Sequence, residues 1–187
     1  MTFTTTFRPT GLVGAVAYDA TAVIAGSLAV ALSAQIVVPL PFTPVPVTGQ
    51  TLAVLLTGFL LGSRLGAMTL IAYLAEGVAG LPVFAAGGAG PAHLFGPTGG
   101  YLAGFVVAAY VAGLLAERGW TSTPARTALG MTIGTSLILV CGASWLAFYV
   151  GPEAAITMGV LPFLIGGAAK IALATVALPA IARLIRR

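Results

Sequence analysis

The stretch "GTSLILVCGASWLAFYV", residues 134–150, carries no charged side chain. Such a run reads as part of a membrane-crossing helix, because about 20 mostly apolar residues span the hydrocarbon core and a helix satisfies its own backbone there. The rest of the chain has the same character. Hydrophobic residues make up 59% and charged residues 6%, with a mean hydropathy of +1.08, whereas soluble domains are roughly 25% charged. The 187 residues therefore read as a single membrane domain, 1–187, with room for about six crossings. Cys141, inside the quoted stretch, is the single cysteine; it forms no internal disulfide and reads as a small buried apolar residue.

Working outward, the apolar runs predict helices near 18–37, 49–62, 65–79, 98–117, 126–149 and 159–183, an all-α integral membrane protein with six transmembrane helices. The second and third are short for a full crossing, so tilt, local thinning or a pocket above them must absorb the difference. The breaks are "VVPLPFTPVPVTGQ" (37–50), "GSRLG" (62–66), "GLPVFAAGGAGPAHLFGPTGG" (80–100), "ERGWTSTPAR" (117–126) and "GPEAAITMG" (151–159). In the first of these, Pro39, Pro41, Pro44 and Pro46 predict an extended or polyproline-like segment with few backbone donors, suited to the edge of a membrane.

Charge sets the orientation, because short cytoplasmic loops collect Lys and Arg. Six helices place Arg8, Arg64, Arg118, Arg126, Arg183, Arg186 and Arg187 on one side. That side is read as cytoplasmic and holds both termini; the proline run, the 80–100 stretch and Glu153 lie outside. The net charge of +4 follows from this topology and not from a basic stripe with interleaved aromatics, so no nucleic-acid partner is expected. The start, "MTFTTTFRPTG", is polar with no signal-peptide core directly behind it, and the first apolar run reads as a retained helix. Trp120 and Trp145 fall near opposite helix ends and read as interfacial anchors in the lipid bilayer.

Lys170, the only lysine, lies within "GVLPFLIGGAAKIALATVALP" (159–179). It sits about eleven residues from either end of the last helix, roughly 16 Å from each interface at 1.5 Å per residue, beyond easy reach of a snorkelling side chain. A lysine at the helix centre costs about 2.5–3.5 kcal/mol, so it implies a partner. Three readings stand: an anionic ligand, an internal ion pair with Asp19 or Glu76, or a neutral buried lysine. Depth favours the ligand, since Asp19 sits near the cytoplasmic start of the first helix and Glu76 near the outer end of the third. Gly166 and Gly167 leave room beside the lysine. In "GPTGGY" (96–101), Pro97 suits a first helical turn whose free N–H groups favour an anion or a carbonyl.

Other chemistry finds no residues to carry it. No Cys/His/carboxylate cluster has metal-ligand spacing, and His93, alone in a loop, reads as a solvated residue. The four carboxylates are scattered, with no pair for acid–base work, and no phosphate-binding GxxxxGK[ST] loop appears. Neither catalytic residues, metal nor cofactor are expected, and a pump would need its ATPase on another chain.

The run "SAQIVVPLPFTPVPVTGQTLAVLLTGFLLGSRLG" (33–66), followed by "YLAEGVAGLPVFAAGGAGPAHLFGPTGGYLAGF" (73–105), closely resembles the BioY family of biotin transporters, the substrate-binding S components of energy-coupling factor (ECF) transporters. The likeness returns at "GVLPFLIGGAAK" (159–170), similar to that family's Pro-Phe-Leu-Pro-Gly-Asp-x-x-Lys motif. It implies biotin uptake across the cytoplasmic membrane, with a membrane-embedded T component and two ABC ATPases as partners. It also implies a pocket near the external face, covered by the first and third external loops, with the proline run as a lid and Lys170 on the valerate carboxylate. Ile165, Gly166 and Gly167 stand where the motif has Pro-Gly-Asp, so another group must serve the ureido ring; Gln35, Gln50, Tyr101, Ser144 and Tyr149 are candidates. The substrate-binding set expected from the resemblance is Lys170, Gly166, Gly167, Tyr101, Gln50, Phe42, Phe84 and Tyr149. Ala25 and Ala29 fit the family's small-residue patch that docks the T component. Two alternatives remain: an S component for another carboxylate vitamin, and an intramembrane enzyme with Lys170 as base.

Overall fold

The computed structural model describes residues 8–185, with side chains as far as residue 180. Helix α1 (Leu12–Ala34) leads into a two-residue antiparallel ladder, β1 (Val37–Val38) with β2 (Val47–Thr48). Then follow α2 (Gln50–Leu61), α3 (Ser63–Val78), α4 (Gly99–Glu117), α5 (Pro124–Val150), α6 (Pro152–Gly159) and α7 (Leu161–Ile185). Short 3-10 turns at Ala85–Gly87 and Pro91–His93 break the long loop between α3 and α4. Among the described residues, four spans are long and apolar enough to cross a membrane: α1, α4, α5 and the continuous stretch Pro152–Ala180. At 1.5 Å per residue α2 is about 18 Å long and α3 about 24 Å, both short of the roughly 30 Å hydrocarbon core.

Helix α4 lies at the centre, packed on α5, α2 and α3, with Ala108, Ala109, Ala112 and Ala116 fully buried. Membrane helices gain stability from close van der Waals packing, which small residues permit. A Cβ on Gly58 of α2 would lie 2.3 Å from the Ala109 carbonyl oxygen, and one on Gly113 of α4 would lie 2.2 Å from the Ser63 nitrogen. The same corner is tied by charge: the Ser63 backbone N–H and hydroxyl both donate to Glu117, at 2.7 and 2.9 Å. Glu117 thus caps α3 from the end of α4, where the free N–H groups and the positive dipole end lie.

Three local expectations change. Helix α1 starts at Leu12, ahead of the predicted residue 18, after an extended Gly11; Asp19 therefore lies two turns inside the helix, paired by Arg8 at 2.6 and 2.9 Å. The segment 151–159, read as a loop, is mostly helix α6: Gly151 at φ 83 breaks α5, Pro152 stands at the first helical position and Glu153 in the first turn, all regular start signals. The proline run is an extended hairpin closed by the β1–β2 ladder. Arg186, Arg187 and the side chain of Arg183, which enter the charge argument, lie outside the described residues.

Candidate functional site

A cavity of about 370 Å³ opens where the hairpin, the 79–98 loop and four helices converge, within the range of small-molecule sites, roughly 300–1,000 Å³. The hairpin contributes Pro44 to Thr48 and α2 its first turn, Gln50 and Thr51; Phe84, Ala85, His93 and Pro97 come from the loop. Tyr101, Leu102 and Phe105 of α4, Thr135, Ile138 and Leu139 of α5, and Phe163, Gly167 and Lys170 of α7 complete it. The second wall loop is therefore the one between α3 and α4; the expected third external loop, 151–159, adds no wall residue.

Lys170 reaches the wall from α7 and donates to the Thr48 carbonyl at 2.6 Å and to the Thr51 hydroxyl at 2.7 Å. Neither proposed internal partner meets it. Asp19 is held by Arg8, and Glu76 accepts from Ser27 at 2.8 Å. Among the described residues, Arg8–Asp19 is the one ion pair, so the Lys170 ammonium has neutral acceptors only.

A second network shapes the opposite arm of the loop. Thr48 donates to the Gln50 amide oxygen at 3.0 Å, Gln50 donates to the Tyr73 hydroxyl at 2.7 Å, and Tyr73 donates to the Val83 carbonyl at 3.0 Å. Tyr73 also meets Phe84 edge-on at 5.6 Å between ring centroids. Phe84 is 1% exposed and packs so closely on α3 that a Cβ on Gly77 would lie 2.1 Å from its Cζ. Gln35, exposed on the end of α1, donates to the Phe84 carbonyl at 3.3 Å.

Of the expected site residues, Lys170, Gly167, Tyr101, Gln50 and Phe84 stand on the cavity wall, and Gly166, Phe42 and Tyr149 do not. The hairpin turns Val45 inward, 4% exposed, and leaves Phe42 55% exposed. Tyr149 instead donates to the Phe95 carbonyl on the outer surface. Gln35 and Ser144 also stand off the wall. The Tyr101 hydroxyl is taken by the Gly159 carbonyl at 2.7 Å. Pro97 precedes α4, whose first N–H groups are used locally, Gly99 on Gly96 and Tyr101 on Thr98. Ala25 and Ala29 are exposed on α1, and neither lines the cavity.

Sequence reasoning missed three contributors. His93 is half-buried on the wall, its ring 5.5 Å from that of Phe84 and its Nδ1 3.0 Å from the Ala89 carbonyl. Trp145, read as an anchor, also donates to the Gly96 carbonyl at 2.9 Å and so fixes the loop onto α5. Thr51 looked like one more residue of an apolar run; only its contact with a residue 119 positions away gives it a role.

The chemistry available is recognition: among the described residues the wall is largely apolar, with one ammonium group, a few polar groups and no carboxylate or thiol. It suits an elongated apolar ligand carrying one anionic end.

Comparison with known proteins gives the same picture. A sequence model of the BioY family matches residues 5–187. The probable biotin transporter BioY of Pyrococcus horikoshii is 40% identical over 133 residues, 71% of this chain and 78% of that protein. The biotin transporter BioY of Thermotoga maritima is 41% identical over 127 residues, 67% of this chain and 74% of that one. The biotin transporter BioY2 of Lactococcus lactis is 35% identical over 164 residues, 85% of this chain and 87% of that one. In fold, the chain matches the S-component for biotin from an ECF-type ABC transporter with a TM-score of 0.80, covering 90% of this chain and 92% of that one at 24% identity. The family match runs through every segment that builds the cavity, and the chain belongs to the BioY family.

Proposed function

We propose that this chain takes up biotin: it binds the vitamin in the cavity and delivers it across the membrane as the S component of an ECF transporter. The observation that carries this reading is Lys170, an ammonium group on the wall of a largely apolar cavity with no carboxylate partner among the described residues. The valerate carboxylate of biotin supplies the missing counter-charge, and the fused rings fill the apolar part beside Phe84, Tyr101 and Phe163. The chain is a transporter subunit and not an enzyme, as its relatives named biotin transporters support. Energy comes from a T component and two ABC ATPases on other chains, with the exposed Ala25 and Ala29 as the docking patch on α1.

Equilibrium binding to the detergent-purified chain tests the ligand. Biotin is expected to bind in preference to other vitamin carboxylates; tighter binding of another vitamin assigns the chain to a sibling S component instead.

The proposed topology has α1 to α5 and α7 crossing the cytoplasmic membrane, both termini inside and the cavity opening outside. The Ser63–Glu117 contacts join the α2–α3 turn to the end of α4, so Arg64 and Arg118 lie at one end of the bundle, as the positive-inside rule requires. In a Cys141→Ala background, Thr43→Cys and Ala92→Cys are expected to react with an impermeant thiol reagent on intact cells, and Ser122→Cys only after lysis. Labelling of residue 122 on intact cells overturns the orientation.

A further inference from the structure

The geometry points to Thr51 as a specificity-determining residue, the second donor of a two-point clamp on the ligand's carboxylate, a role that rests on the proposed placement of that carboxylate at Lys170. An ammonium group has three hydrogens and a hydroxyl has one hydrogen and two lone pairs. Lys170 spends two of its hydrogens, on the Thr48 carbonyl and the Thr51 hydroxyl oxygen. Because Thr51 accepts that bond, its own hydrogen is left over, and it meets no acceptor among the described residues.

Both residues stand on the cavity wall, so the third ammonium hydrogen and the Thr51 hydroxyl hydrogen are the spare donors, on atoms 2.7 Å apart. The two oxygens of one carboxylate accept such a side-by-side pair, and donors to an ionised acceptor form the stronger hydrogen bonds. Donation from the lysine also polarises the hydroxyl, which strengthens it as a donor.

The neighbouring polar groups are already engaged. The Thr48 hydroxyl donates to Gln50, one N–H of the Gln50 amide to Tyr73 and the Tyr101 hydroxyl to Gly159. Thr135 also stands on the wall, but among the described residues the ammonium group bonds Thr48 and Thr51 and not Thr135. Thr51 is thus the wall hydroxyl held against the cation. It also occupies the first turn of α2, where the helix dipole favours an anion.

The test compares biotin with its methyl ester on the full-length purified chain. Thr51→Val keeps the shape and removes the donor; it is expected to weaken biotin about tenfold, the scale of one charge-assisted hydrogen bond, and the ester by less than about twofold. Thr51→Ser restores the donor and is expected to recover most of the affinity for the acid. If valine disturbs packing, Thr51→Ala serves the same comparison, with ester binding as the sign of an intact cavity.

Equal losses for acid and ester, or no recovery with serine, overturn the clamp. Lys170→Met measured alongside separates the two ideas. If it abolishes the preference for the acid while Thr51→Val leaves that preference intact, only the clamp fails; if it too leaves the preference intact, the carboxylate does not sit at Lys170 and both fall.

Discussion

Lys170→Met is expected to weaken biotin by roughly ten- to a hundredfold while changing biotin methyl ester far less, because a charge-assisted contact is worth about 1.5–3 kcal/mol and the ester carries no charge to pair. Methionine nearly matches lysine in length, so an apolar stem still occupies its place on the cavity wall. Its removal does leave the Thr48 carbonyl without its 2.6 Å donor. That loss loosens the hairpin for both ligands and accounts for a small common decrease. The difference between acid and ester isolates the ion pair.

Lys170→Arg keeps the charge and is expected to retain part of the affinity, since the planar guanidinium cannot place its donors where the compact ammonium group sits between Thr48 and Thr51. Calorimetric titration of both ligands against the three proteins measures all of this. Equal losses for acid and ester in the methionine variant would assign the lysine a structural role.

Gly77→Ala is expected to damage the site without touching its charge. The added methyl would lie 2.1, 2.4 and 2.5 Å from three atoms of the Phe84 ring, and α3 cannot move away, because Tyr73 one turn earlier is fully buried and hydrogen-bonded to both Gln50 and Val83. The ring must shift, and it forms part of the cavity wall. Overpacking of this kind costs about 1–3 kcal/mol, equivalent to roughly five- to a hundredfold in binding where it falls on the bound state. Biotin and its methyl ester are expected to suffer equally, the opposite of the Lys170 pattern. Adding Phe84→Leu removes the clashing ring edge and is expected to restore part of the loss, a coupling that a double-mutant cycle reads directly. A Gly77→Ala protein that binds biotin and melts like the parent would show that Phe84 is not held where the structure has it.

The non-helical proline run and the lone lysine were both legible, and each for a local reason; the pairing of β1 with β2 that makes the run a hairpin was not. Proline restricts its own backbone, and a charge in an apolar run costs the same wherever the chain leads. Helix α6 was legible too, in Gly151, Pro152 and Glu153, but its start signals follow a long helix and were read only as a break. Phe42 and Val45 could not be told apart, because both are apolar residues of one loop, and only the turn of the hairpin decides that Val45 faces the cavity. Tyr149 and Tyr101 posed the same problem: both are helical tyrosines with a hydroxyl to place, and the rotation of α4 and α5 about their axes puts one on the wall and the other on the outer surface.

By itself the sequence determined the class of protein, the approximate places of most of its helices and the one residue whose burial demands a partner. These depend on transfer free energies and backbone preferences that act residue by residue. Only the tertiary structure decided what Lys170 meets. The competing carboxylates, Asp19 and Glu76, were taken by Arg8 and Ser27, while Thr48 and Thr51 arrived from 122 and 119 positions away. A hydrogen bond acts over about 3 Å, so its partners are chosen by the packing of α2 against α7 and not by anything either segment carries alone.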